Sequence, residues 1–109
     1  MSGTERRKSP RVTAHLLASF HCIDGGTVTN TGFVRTLNIS EEGALLESPD
    51  DFPVGQTLAL EFLLDYDRMV NVEGRVLRVH KNKEGYRIAV TFTNLTSANR
   101  RLLAKQVKS

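Results

Sequence analysis

From Val12 to Cys22 the even positions are apolar (Val12, Ala14, Leu16, Ala18, Phe20, Cys22), while Thr13, His15, Ser19 and His21 fall between them. A period of two is the pattern of a half-buried strand. Asp24-Gly25-Gly26 then supplies the residue types of a tight turn. A second strand carries Phe33, Arg35, Leu37 and Ile39 on one face and ends in the polar cluster Asn38–Gly43. Ala44–Glu47 forms a short third strand, stopped at Ser48-Pro49-Asp50 because proline cannot donate to a ladder. In the fourth, Leu58, Leu60, Phe62 and Leu64 alternate with Thr57, Glu61 and Asp65. Val70, Val72, Gly74 and Val76 mark a fifth, where the adjacent pair Val76-Leu77 followed by Val79 predicts a change of face and a bulge near Gly74. After the loop Lys81–Gly85, Tyr86, Ile88, Val90 and Phe92 define a sixth strand. Thr96 then caps a helix over about 96–107, whose Ala98, Leu102, Leu103 and Val107 make an apolar stripe.

Six short strands and a terminal helix predict an all-β fold with a C-terminal helix: a six-stranded antiparallel barrel, in which closure removes the edges an open sheet would present. The 109 residues suffice for one core. The expected organisation is an N-terminal arm, residues 1–11, and a barrel with its helix, residues 12–109.

Charge changes this picture, because the net +3 is spread unevenly. The arm holds Arg6, Arg7, Lys8 and Arg11 against Glu5. Residues 12–72 carry Arg35 and Arg68 against nine carboxylates, and residues 73–109 carry nine cations against Glu73 and Glu84. Ten of the 15 cations are arginine, whose planar fork suits phosphates and guanine edges. A nucleotide-like partner is the expectation. Basic residues before the uncharged run Val12–Ile23 superficially resemble a secretory or twin-arginine leader, but the alternation is that of a strand and no small-x-small cleavage site follows. No apolar run reaches the roughly 18 residues of a membrane helix. A single cysteine makes no internal disulfide, which fits a cytoplasmic location. Cys22, on the apolar phase, reads as a buried thiol.

Signatures of catalysis are missing: there is no phosphate loop ending in Gly-Lys-Ser/Thr, no His-Glu-x-x-His, no Cys-x-x-Cys and no Gly-x-Ser-x-Gly. The expectation is a binding protein, not an enzyme. His15, His21, Cys22 and His80 lack the spacing of a tetrahedral metal site, and no cofactor is expected. The paired carboxylates Asp50-Asp51 and Asp65/Asp67 fall in turns.

Two motifs remain. Arg7-Lys8-Ser9-Pro10-Arg11 sets two arginines four apart, and Pro10 biases Ser9 to an extended conformation, so the segment is an arm and not a helix. Alone it reads as a solvated basic tail. Asn38-Ile39-Ser40-Glu41-Glu42-Gly43 places an amide, a hydroxyl and a glycine in a turn between strands, where polar groups can face outward and the glycine leaves the backbone approachable. With the strands Gly74–Val79 and Tyr86–Phe92 and the closing helix, these residues resemble the PilZ domain family of cyclic di-GMP receptors along nearly the whole chain. One departure is Ala89, where the family usually carries glycine; it is expected to concern packing more than ligand.

The resemblance implies that the arm and the barrel rim bind cyclic di-GMP through Arg7, Arg11, Asn38, Ser40 and Gly43, and Arg78 either stacks on a guanine or is a plain surface arginine of its strand. Guanine O6 and N7, or a phosphate, take two parallel hydrogen bonds from an arginine fork. Asn38 would meet the guanine N1/N2 edge and Ser40 a phosphate or base, with Gly43 keeping the wall low. Arg6, beside the motif, goes in the family with an intercalated ligand dimer, hence two ligands per chain. Binding would order the arm and change how a downstream protein partner is met. The rival from another class is a small basic barrel gripping single-stranded nucleic acid, which needs exposed aromatics; Phe20, Phe33, Phe62, Tyr86 and Phe92 all fall on expected core phases. A third alternative is a PilZ-like adaptor without ligand affinity.

Overall fold

A computed structural model describes residues 12–65, 68–94 and 96–101. Six strands, β1 (Val12–Asp24), β2 (Thr27–Ile39), β3 (Gly43–Ser48), β4 (Thr57–Asp65), β5 (Arg68–Asn82) and β6 (Gly85–Asn94), close into an antiparallel barrel in the order β1-β2-β3-β6-β5-β4. β1 pairs with β2 on one side and β4 on the other, which completes the ring. The arm residues Arg6, Arg7 and Arg11 lie outside the described residues, as does the expected helix beyond residue 101. The helical segment 97–101 begins as expected: Thr96 Oγ1 accepts from Asn99 N at 3.1 Å and Thr96 O from Arg100 N at 2.8 Å.

Alternation fills the barrel. Phe20, Phe62, Leu58, Leu60, Leu46, Ile88, Val70 and Val76 are buried side by side. The β1–β2 turn has Gly25 and Gly26 at φ 57° and 82°, a left-handed pair that matches the twist of a two-residue hairpin. β2 therefore starts at Thr27 and takes in the polar stretch that separates the two strands in the sequence pattern. The connection from β3 to β4 crosses one end of the barrel, since those strands are not neighbours. It drops Phe52 onto Phe20, ring centroids 4.9 Å apart and nearly perpendicular.

The expected change of face in β5 is real and has a counterpart in β2. Val76 pairs with Val90 and Arg78 with Ala89, so Leu77 is an extra residue in β5; a second irregularity, between Glu73 and Gly74, adds Thr93 to β6. In β2, Thr36 pairs with Leu46 and Asn38 with Leu45, which makes Leu37 the extra residue. The bulge at Leu37 reverses the phase of β2, so Val34 and Thr36 point inward and Phe33, expected in the core, is 67% exposed. Strict alternation carried across the bulge is the cause of that error.

Cys22 is buried, and desolvation, reinforced by the Asp24 carboxylate, raises its pKa above the ordinary thiol value. That fits the plain buried thiol read from the sequence.

Thr36 is fully buried and its Oγ1 has no hydrogen-bond partner. An unpaired buried hydroxyl costs about 1–3 kcal/mol. Thr36→Val is expected to raise the urea midpoint, with a gain of about 1 kcal/mol in unfolding free energy; a lower midpoint would show that the hydroxyl is satisfied in solution.

Candidate functional site

The bulges decide which side chains reach the outer surface. On β2, Thr36 faces inward and, one bulged residue later, Asn38 faces outward and is half-buried. On β5, Val76 faces inward and, after Leu77, Arg78 faces outward and is exposed. Bulges that re-aim side chains recur beside binding sites. Here both re-aimed residues fall on one cross-strand row: Asn38 pairs with Leu45, Leu45 with Ala89, and Ala89 with Arg78. At 4.7–4.9 Å per strand the row is about 14–15 Å long. Its middle, Leu45 and Ala89, is low and apolar, and its ends are an amide and a guanidinium. This is a floor on which a planar ring can lie between two polar ends.

The arm enters at the amide end. Val12 pairs with Ile39 and Thr13 with Asn38, so the chain before residue 12 joins the barrel beside the Ser40–Glu42 turn, nearly thirty residues away in sequence.

The turn is built differently from the sequence expectation. Ser40 is fully buried. Its backbone N–H donates to Gly43 O at 2.9 Å, and its hydroxyl accepts from Glu42 N at 3.2 Å and donates to the same carbonyl at 3.4 Å. The hydroxyl expected to face outward is thus committed to the turn. Gly43 has a second role besides the expected one: a Cβ there would lie 2.1 Å from Val90 O, so the missing side chain lets β3 pair with β6. Phe92 N donates to Glu42 O at 2.9 Å and fixes the other side of the turn against β6. Ala89, too, is placed differently: Ile88 and Val90 point inward, while Ala89 lies on the outer row. Its departure from the family's glycine therefore concerns the candidate surface. Leu45 and Ala89 were missed as site residues, although the alternation of Ala44, Leu46 and Ile88 with them already marks both as outward.

Surface charges tie neighbouring parts to this turn. Arg100 pairs with Glu41 at 3.5 Å, and Asn99 Nδ2 donates to Asn71 O at 2.7 Å, which holds the 97–101 segment to β5 and to the turn. A separate shallow groove is lined by Leu17, Phe33, Arg35, Glu47 and Glu84. Arg35 Nε donates to Glu47 Oε1 at 3.2 Å there. Exposed Phe33 supplies a stacking face in that groove, but Glu47 and Glu84 beside it repel a polyanion. Among the described residues no group of three His, Cys, Asp or Glu side chains is placed to hold a metal ion, and no helix is long and apolar enough to cross a membrane.

Two substitutions test the turn. Ser40→Ala removes both hydroxyl bonds and is expected to cost about 1–3 kcal/mol of stability. Gly43→Ala forces β3 from β6 and is expected to cost at least as much, about 1–3 kcal/mol or more; a wild-type urea midpoint for Gly43→Ala would show that the β3–β6 pairing yields without strain.

Solved structures share this architecture. The inhibitor of motility MotI/DgrA of Bacillus subtilis superposes with a TM-score of 0.78 at 19% identity, covering 94% of this chain and 50% of that one. YcgR of Escherichia coli in complex with c-di-GMP gives 0.76 at 14% identity, covering 94% and 45%. The PilZ domain of YcgR with c-di-GMP gives 0.69 at 18% identity, covering 94% and 89%. The chain thus spans about half the length of the first two proteins and most of the isolated domain. Comparison with curated protein sequences gives no match. The PilZ domain family matches residues 5–109, and with the closed six-stranded barrel this establishes that the chain belongs to the PilZ domain family.

Proposed function

We propose that the domain is a receptor for cyclic di-GMP, bound between the N-terminal arm and the outer row Asn38–Leu45–Ala89–Arg78. The observation that carries this reading is the register. It brings the base of the arm, Val12, to Ile39 beside the turn, and sets Asn38 and Arg78 at opposite ends of one apolar floor. Relatives of the same fold, YcgR among them, are solved with c-di-GMP.

In this reading Arg7 and Arg11 hold the guanine Hoogsteen edges and phosphates as bidentate forks. Asn38 accepts from the guanine N1/N2 edge and Arg78 stacks on a guanine face. Ser40 and Gly43 act through the backbone: they fix the turn so that Asn38 and the Glu41–Glu42 peptides keep their positions. Arg6 holds a second, intercalated nucleotide, for two ligands per chain. The ligand must contact arm and barrel together, because ordering a chain segment costs free energy that either surface alone does not return. An arm folded over the barrel changes the surface presented to a downstream protein, and the signal passes on through that change.

Calorimetric titration with cyclic di-GMP, with GTP and cyclic AMP as controls, tests the reading. Selective binding of two nucleotides per chain is expected, weakened about tenfold or more in Arg7→Ala or Arg11→Ala. Equal binding of GTP, or none of cyclic di-GMP, would overturn it, and saturation at one nucleotide would remove the dimer.

A further inference from the structure

The bulge at Leu77 does more than expose Arg78. Arg75 faces outward before it and Arg78 and His80 face outward after it, because the extra residue resets the alternation. On β6, Arg87 is directly opposite His80 and one step diagonal from Arg78, about 7–8 Å away by cross-strand geometry. Arg75 pairs with Thr91, which itself pairs with Gly43 next to the turn. Arg75, Arg78 and Arg87 therefore form a ridge across three successive rows of the outer face, with the candidate floor in the middle row. All three are exposed, and no ion pair with a described residue neutralises any of them.

One carboxylate is shared on the Arg87 row: Glu47 lies between Arg35 and Arg87, and its Oε1 accepts from Arg35. Glu73, two residues before Arg75, pairs with Asn94 beyond the Thr93 bulge. This face therefore carries more guanidinium than carboxylate charge, a field that attracts an anion.

We propose that Arg75 and Arg87, on either side of the row on which Arg78 stacks, hold the phosphates of the bound nucleotide. This deepens the cyclic di-GMP reading and rests on it. Arg75 and Arg87 then add phosphate contacts made by exposed guanidiniums, so the affinity they supply is screened by salt.

The test is titration of the full chain with cyclic di-GMP at about 50 and about 300 mM salt, a range over which the Debye length falls about twofold and exposed contacts weaken. Arg75→Gln and Arg87→Gln are each expected to weaken binding about threefold or more at low salt and to flatten its salt dependence, with Arg87→Lys retaining most of both. Thermal midpoints should not fall, because both side chains are exposed. Wild-type affinity and salt dependence in both Gln variants, with the parent binding normally, would overturn the ridge alone. No binding by the parent would overturn the cyclic di-GMP reading and the ridge with it. Loss of binding to a single-stranded oligothymidylate in the Gln variants, with cyclic di-GMP affinity intact, would also overturn it and assign the ridge to a nucleic acid.

Discussion

Register is the constraint on which the molecule depends. In a closed barrel each strand is paired on both sides, so a slip of one residue would turn every buried side chain of that strand to solvent. An extra residue is tolerated only as a local bulge, and the barrel places one at Leu37 in β2 and one at Leu77 in β5. Each leaves Thr36 or Val76 in the core and presents the residue after it, Asn38 or Arg78, to the outside. The core fixes the strands, the bulges aim two polar side chains, and β3 and β6 set the distance between them.

The turn after Asn38 holds this arrangement in place. Ser40 and Gly43 are not surface features; they are the buried hydroxyl and the absent side chain that let β2 turn into β3 and let β3 pair with β6. An Asn-x-Ser-x-x-Gly string therefore combines one outward residue with two whose work is internal. The same turn accepts the helical segment through Arg100 and Glu41. The start of β1 at Val12, the turn and the helical segment meet at one rim.

Much of the fold was legible because burial imposes a period of two. Leu58, Leu60 and Phe62 in β4 and Ile88 and Val90 in β6 point inward as their alternation predicts, and Gly25-Gly26 marks its hairpin. Phe33 was misread because a bulge is set by pairing with a distant strand, and Leu37 carries no local mark of being the extra residue; at Leu77 the adjacent pair Val76-Leu77 gave the shift away. For the site, the residue types were legible and their roles only partly so. A serine and a glycine look the same in a string whether they face ligand or backbone, and only the Val90 carbonyl beneath Gly43 tells the two apart. An apolar floor has no motif, so Leu45 carries no mark of a site and Ala89 reads as a packing position.

Charge segregation acquires a structural meaning in this frame. The acidic middle of the chain supplies Glu47 and Glu61, the turn carboxylates Asp50 and Asp51, and Asp65, which ends β4 opposite Arg68 and not in a turn as expected, while β5 and β6 carry the arginines that border the candidate floor. The direct measurement of whether arm, row and turn make one site is an amide-resolved NMR titration of the labelled chain with cyclic di-GMP. The account predicts shifts concentrated at Asn38, Leu45, Ala89 and Arg78 and in residues 6–11. Shifts centred on Leu17, Phe33 and Glu84, with the Asn38–Arg78 row unmoved, would contradict it.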